Sequence, residues 1–179
     1  ILTFAWTLKA MTDSLGADVF VASLIDGSAK GLMNLLPAII FVIGCLLAFA
    51  TGTSWGTFGI LIPIVVNAFQ SVDPDLMIIA ISACMAGAVC GDHCSPISDT
   101  TVLASIGASC DHVDHFETQM PYAVTVAVIC GIMFVLAGMD TSPIMLAVAA
   151  VVLTVAVFVL HKISVKKYGQ EKTPGNVTE

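Results

Sequence analysis

Arginine is absent from this 179-residue chain, and charge of any kind is scarce: charged residues make up 11% of it, against 58% hydrophobic residues. A soluble domain carries about 25% charged and about 45–50% apolar residues, so a soluble globular fold is excluded. Six lysines against 13 acidic residues, a net charge of -7, leave no basic stripe with which to bind nucleic acid. The same hydrophobicity excludes disorder, and 14 glycines without a fixed period exclude collagen. The six cysteines show no disulfide-scaffold spacing, and Cys45, Cys84 and Cys130 lie in apolar runs where a thiol behaves as a small hydrophobe. The chain opens Ile1-Leu2-Thr3-Phe4-Ala5-Trp6, with no basic leader and no cleavage site. What remains is an integral membrane protein, expected here as a piece that begins partway along a transmembrane helix.

The few charges divide the chain into segments. Residues 1–15 are apolar except for Lys9 and Asp13, which are four apart and so share a helix face, as an ion pair or as part of a pathway. Residues 17–30 are amphipathic, too short and too charged to span, and fit an interfacial helix. No charged residue occurs from 31 to 72, far more than the roughly 20 residues one span needs. That run is interrupted by Ala50-Thr51-Gly52-Thr53-Ser54-Trp55-Gly56-Thr57, a poor helix interior. Helices are predicted over about 33–49 and 57–70, with Pro63 bending the second.

A second interruption, Gly91-Asp92-His93-Cys94-Ser95-Pro96-Ile97-Ser98-Asp99, separates apolar arms at 76–90 and 100–110. Pro96 has no N–H and disfavours helix at Ser95. Each arm is too short to cross a bilayer, and together they are long enough. Residues 111–117 read as a polar loop, followed by spans over 120–138 and 143–160. Three lysines in 161–168 assign that end to the cytoplasm, and 169–179 reads as a disordered end. The domain division is therefore a transmembrane part, 1–161, and a cytoplasmic tail, 162–179. Counting back from the tail favours 33–70 as a re-entrant hairpin whose tip, 51–57, hangs inside the bilayer, over two full spans.

Non-helical backbone at membrane depth must be buried in protein or line a wet cavity. Two such stretches point to transport, because broken helices expose carbonyls and N–H groups that hold ions near the midplane. The oxygens suit a hard cation such as Na⁺. Thr51, Thr53, Ser54 and Thr57 offer them at the first break, and Ser95, Ser98, Thr100 and Thr101 at the second, with the carboxylates of Asp92 and Asp99. A carboxylate out of water favours its proton, and a bound cation reverses that preference, so Na⁺ and H⁺ exclude one another on one group. Asp99 is also a good helix N-cap; Asp92 has no capping role. His93 is either a proton carrier or a satisfied buried histidine. Cys90, His93 and Cys94 hint at zinc but lack a fourth ligand. His112 and His115 fit a solvated loop, with a pH sensor as the alternative. Trp55 reads as a packing residue at the tip, with substrate stacking as the alternative.

These two interrupted segments, with Cys110-Asp111-His112-Val113-Asp114-His115 and Gln119-Met120-Pro121-Tyr122, resemble the C-terminal half of the NhaC-type sodium/proton antiporter family. The resemblance runs from the first segment to about residue 160. More broadly, a polar hairpin tip followed by an unwound helix is similar to one repeat of the sodium-coupled dicarboxylate symporter fold. It implies an all-α polytopic membrane protein, one repeat of an inverted-repeat ion transporter with a re-entrant hairpin and a broken transmembrane helix. It places Thr51, Thr53, Ser54, Asp92, Ser95, Ser98 and Asp99 near a site shared with a missing N-terminal half. The implied activity is Na⁺/H⁺ exchange across the inner membrane, without catalysis, cofactor or resident metal. Exchange or symport of organic acids such as malate and lactate is the alternative. The expected partners are the bilayer and the missing half; homodimerisation stays open.

Overall fold

The computed structural model describes residues 7, 10–11, 14–16, 30–69, 74–142 and 144–168. The expected Lys9–Asp13 pair, the interfacial helix before residue 30 and the end after 168 lie outside them. The described residues form helices and no strand: α1 (Lys30–Thr51), α2 (Ser54–Phe69), α3 (Pro74–His93), α4 (Asp99–Gly107), α5 (His112–Met139) and α6 (Ile144–Tyr168). Stretches within α1, α3, α5 and α6 are long and apolar enough to cross a membrane, as a polytopic membrane protein requires.

The two interruptions are present but narrower than their composition suggests. The first is Gly52-Thr53 alone, and Pro63 lies inside α2, which continues through it. The second is 94–98, so Gly91, Asp92 and His93 belong to the last turn of α3 rather than to the break. The arms around it are 20 and 9 residues long, rather than the expected 76–90 and 100–110, and α3 by itself reaches about 30 Å, the thickness of the hydrocarbon core. The 22-residue α1 is likewise long enough to cross alone. The expected polar loop at 111–117 is instead the first two turns of α5: Asp111 caps the helix by accepting from Val113 N (2.8 Å) and Asp114 N (3.3 Å). At the other end α6 runs on to Tyr168, across the expected boundary between span and tail.

What aligns the interruptions is the packing of α1 against α3. Ala83, Gly87 and Gly91 recur every four residues and form a backbone-wide stripe on α3. Gly87 lies on the carbonyl of Phe41 and Gly91 on that of Cys45, while a Cβ on Gly44 would stand 3.2 Å from both Cys84 O and Ala88 N. The paired numbers rise together, so α1 and α3 run parallel and in register. Small residues are what permit such an approach where lipid supplies no hydrophobic drive. Between them α2 returns to the starting end, where Val65, Phe69, Leu76 and Ala80 form a buried cluster with Leu36 and Ile40. Helix α5 runs antiparallel along α1, from ring contact between Phe134 and Phe41 (centroids 5.4 Å apart) to Gly138 against Asn34. Helix α6 exposes Leu146, Val155 and Phe158, an apolar surface suited to lipid or to other helices.

A methyl group on Gly87 or Gly91 would overlap a carbonyl oxygen of α1. Gly87→Ala and Gly91→Ala should each lose about 1–3 kcal/mol of stability to overpacking. Gly131→Ala, whose Cβ would meet Phe41 at an ordinary 3.7 Å, should cost nothing. Thermal unfolding of the detergent-solubilised variants, followed by size-exclusion chromatography, measures both.

Candidate functional site

The register of α1 and α3 sets the two breaks side by side. Gly52 ends the first arm with φ +67, a left-handed conformation that glycine adopts without steric penalty. A Cβ there would also stand 2.6 Å from the Ile97 carbonyl oxygen, inside the second break. Two hydrogen bonds tie the breaks together: Asp99 N–H donates to Gly52 O (3.2 Å), and the Ser95 hydroxyl donates to Phe49 O (2.8 Å). The groups a broken helix leaves unpaired are thus partly satisfied across the break.

Asp92 is the centre of the second break. Its side chain is 1% exposed, and both carboxylate oxygens accept hydroxyl hydrogen bonds, Oδ1 from Ser98 (2.8 Å) and Oδ2 from Thr100 (2.9 Å). Ser98 in turn accepts from Thr101 N–H (3.2 Å) with extended backbone, φ -61 and ψ 130. Ser98 is therefore the N-cap of α4, and the cap expected at Asp99 is one residue too late. Asp99 begins the helix with an exposed side chain, where a carboxylate is favoured by the helix dipole. The Thr100 hydroxyl also stands 3.3 Å from Asp99 Oδ1, so it lies between a buried carboxylate and a solvent-facing one.

The remaining candidates do not hydrogen-bond to this pair. Thr51 turns its hydroxyl back to Leu47 O (2.9 Å), and Thr57 does the same to Thr53 O (3.0 Å). Ser54 is buried at the start of α2, and Thr53 joins α1 to α2. His93 has Nδ1 2.9 Å from Val89 O, and its own carbonyl accepts from Gln119 Nε2 (3.1 Å). Trp55 is 74% exposed and meets Phe58 edge-on, so it does not pack into the tip. No group of three metal-ligating side chains occurs among the described residues.

Three participants are not among the residues that the sequence places at the breaks. Gln119 and His112 reach the second break from α5; His112 Nε2 lies 2.8 Å from Pro96 O and Nδ1 lies 3.4 Å from the Ser105 hydroxyl. Ser105 read as one small residue in an apolar arm. The signal available for His112 was its place just after Asp111, a helix-capping residue.

The arrangement offers an all-oxygen, hydroxyl-lined carboxylate where two helices end. A sequence profile of the Na⁺/H⁺ antiporter family matches residues 1–139. An uncharacterized protein of Haemophilus influenzae is 47% identical over 163 residues, 90% of this chain and 31% of its own length. The malate-2H⁺/Na⁺-lactate antiporter of Bacillus subtilis is 34% identical over 97 residues, 54% of this chain and 20% of its own. An uncharacterized Na⁺/H⁺ antiporter of H. influenzae is 29% identical over 146 residues, 76% and 31%. The chain therefore spans about a third or less of these relatives. No solved structure matches it.

Ser98 serves two masters, so its loss should exceed that of an ordinary cap. Ser98→Ala removes a cap worth about 1 kcal/mol and leaves Asp92 short of a donor, about 1–3 kcal/mol more. The melting temperature should fall further than in Ser95→Ala, which loses one hydrogen bond to a backbone carbonyl.

Proposed function

Because the chain belongs to the Na⁺/H⁺ antiporter family, we propose that it carries the ion-handling break of a secondary active transporter exchanging Na⁺ for H⁺. The observation that carries this reading is Asp92: a carboxylate 1% exposed, held by two hydroxyls, with no cationic partner among the described residues. A buried charge without a counter-charge is expensive, and either ion relieves it. The oxygen-only surroundings favour a hard cation. The parallel arrangement adds the carbonyl-rich C-terminal ends of α1 and α3, which favour positive charge. One ion thus displaces the other, and exchange follows when the site alternates between the two faces.

In this reading Asp92, Ser98 and Thr100 hold the ion. Asp99 is the solvent-facing carboxylate through which it arrives, and Ser95, Thr51, Thr53 and Ser54 hold the facing tip. His93 is a candidate for moving protons at the end of α3. The rest of the polypeptide supplies the inverted second repeat and the remaining ligands. The α1–α2 pair is the re-entrant hairpin, and the lysine-bearing end of α6 faces the cytoplasm from the inner membrane.

A second reading, Na⁺-coupled exchange of a small organic anion, is favoured by the B. subtilis relative, whose name gives malate and lactate as its substrates. The absence of arginine weighs against it, since an anion site wants a cation; the N-terminus of α4 is the alternative anchor.

Reconstituted in vesicles, the full-length protein that contains this chain should move protons when a Na⁺ gradient is imposed. Asp92→Asn should reduce that flux at least tenfold, whereas Asp99→Asn should raise the half-saturating Na⁺ concentration several-fold. Flux unchanged in both variants would sink the assignment. Flux that requires malate or lactate would select the second reading.

A further inference from the structure

The buried face of α4 is made of hydroxyls. Its cap Ser98 and its buried residues Thr101 and Ser105 are 0%, 1% and 2% exposed. A short helix that packs through hydroxyls gives up hydrophobic stabilisation at each of those positions. Two of the three have partners. Ser98 donates to Asp92, and Ser105 donates to Val102 O (2.8 Å) while facing His112 Nδ1. Thr101 Oγ1 is sealed from solvent and has no hydrogen-bond partner among the described residues. Helical threonines usually return the hydroxyl to a carbonyl one turn back, as Thr57, Thr118, Thr125 and Thr154 do here. An orphaned buried hydroxyl in a polar seam marks the place of a water or an ion.

Positions 98, 101 and 105 are three and four apart, so the hydroxyls form one line along the helix. The line begins at Asp92 and ends at His112. The Pro96 carbonyl can only accept, so it fixes the His112 proton on Nε2 and leaves Nδ1 turned to Ser105. His112 is partly exposed, beside the exposed carboxylates of Asp111, Asp114 and Glu117 and the partly buried ring of His115; α4 carries Asp99, and the last turn of α3 carries His93 besides Asp92.

We propose that this hydroxyl face is the proton route to Asp92, completed by a water held at Thr101 Oγ1. The inference rests on the reading of Asp92 as the proton-accepting group. Once His112 takes up a second proton from solvent, the Nδ1 proton passes to the Ser105 hydroxyl, which turns from Val102 O and gives its own proton to the water at Thr101. The water passes one of its protons to Ser98, and Ser98 delivers its proton to Asp92 Oδ1. Each carrier takes one proton and releases one, so only His112 and Asp92 change charge. The route shares Ser98 and Asp92 with the proposed ion site, whereas Thr101, Ser105 and His112 serve the proton alone.

The test compares two fluxes of the full-length protein in vesicles: Na⁺-driven proton movement, read with an internal pH dye, and ²²Na⁺/Na⁺ counterflow, which moves no proton. Thr101→Val keeps the shape and removes the hydroxyl. It should cut proton movement at least tenfold while counterflow changes less than twofold, and Thr101→Ser should restore proton movement. Unchanged proton movement in Thr101→Val would overturn the route, and so would an equal loss of both fluxes, which marks Thr101 as an ion ligand or a structural residue. Absence of Na⁺-driven proton movement in the unmodified protein removes the underlying exchange reading itself, and the route with it.

Discussion

The close approach of α1 and α3 is the constraint on which the rest depends. Gly87 and Gly91 have no side chain, so the carbonyls of Phe41 and Cys45 can lie directly on the backbone of α3. Any side chain there would push the helices apart, and the two breaks would separate with them. The register of this contact brings Gly52 to Asp99 and Phe49 to Ser95. Helix–helix packing by small residues is thus the cause, and a shared polar centre its consequence.

That centre offsets the cost of interrupting a helix next to a buried carboxylate. Residues 94–98 leave backbone groups outside the helical ladder, and Asp92 is buried as a carboxylate. Hydroxyls from the following helix satisfy Asp92, while the tip of the first hairpin satisfies the backbone. The proposed ion binding and the structural integrity of the break therefore draw on the same few side chains, Ser98 and Thr100 above all. A substitution in this set acts on the fold and the site together, which is why a pair of fluxes, or a stability control, is needed to read it.

Much of this was legible in the sequence. The missing charges gave the membrane class, and the crowding of hydroxyls, glycines and carboxylates at 50–57 and 91–99 located both breaks. The extents were misjudged for a local reason. Gly91-Asp92-His93 looks like a helix breaker, yet Asp92 completes the helix because its partners stand six and eight residues further on. Asp111 looked like loop because a cap and a loop share the same residue types. The glycine stripe carried no signal by itself: Ala83, Gly87 and Gly91 gain meaning only against a neighbour whose register no single segment reveals.

The tether between the breaks is slight. It consists of the Asp99 N–H bond to Gly52 and the Ser95 hydroxyl bond to Phe49. At about 1 kcal/mol net for each hydrogen bond, the pair adds a factor of roughly thirty to the hold that the helix packing already provides. In the proposed reading, an increment of this size lies within the reach of a single bound ion. In the proposed exchange, the two interruptions serve as a latch whose opening cost is matched to the ion they take up.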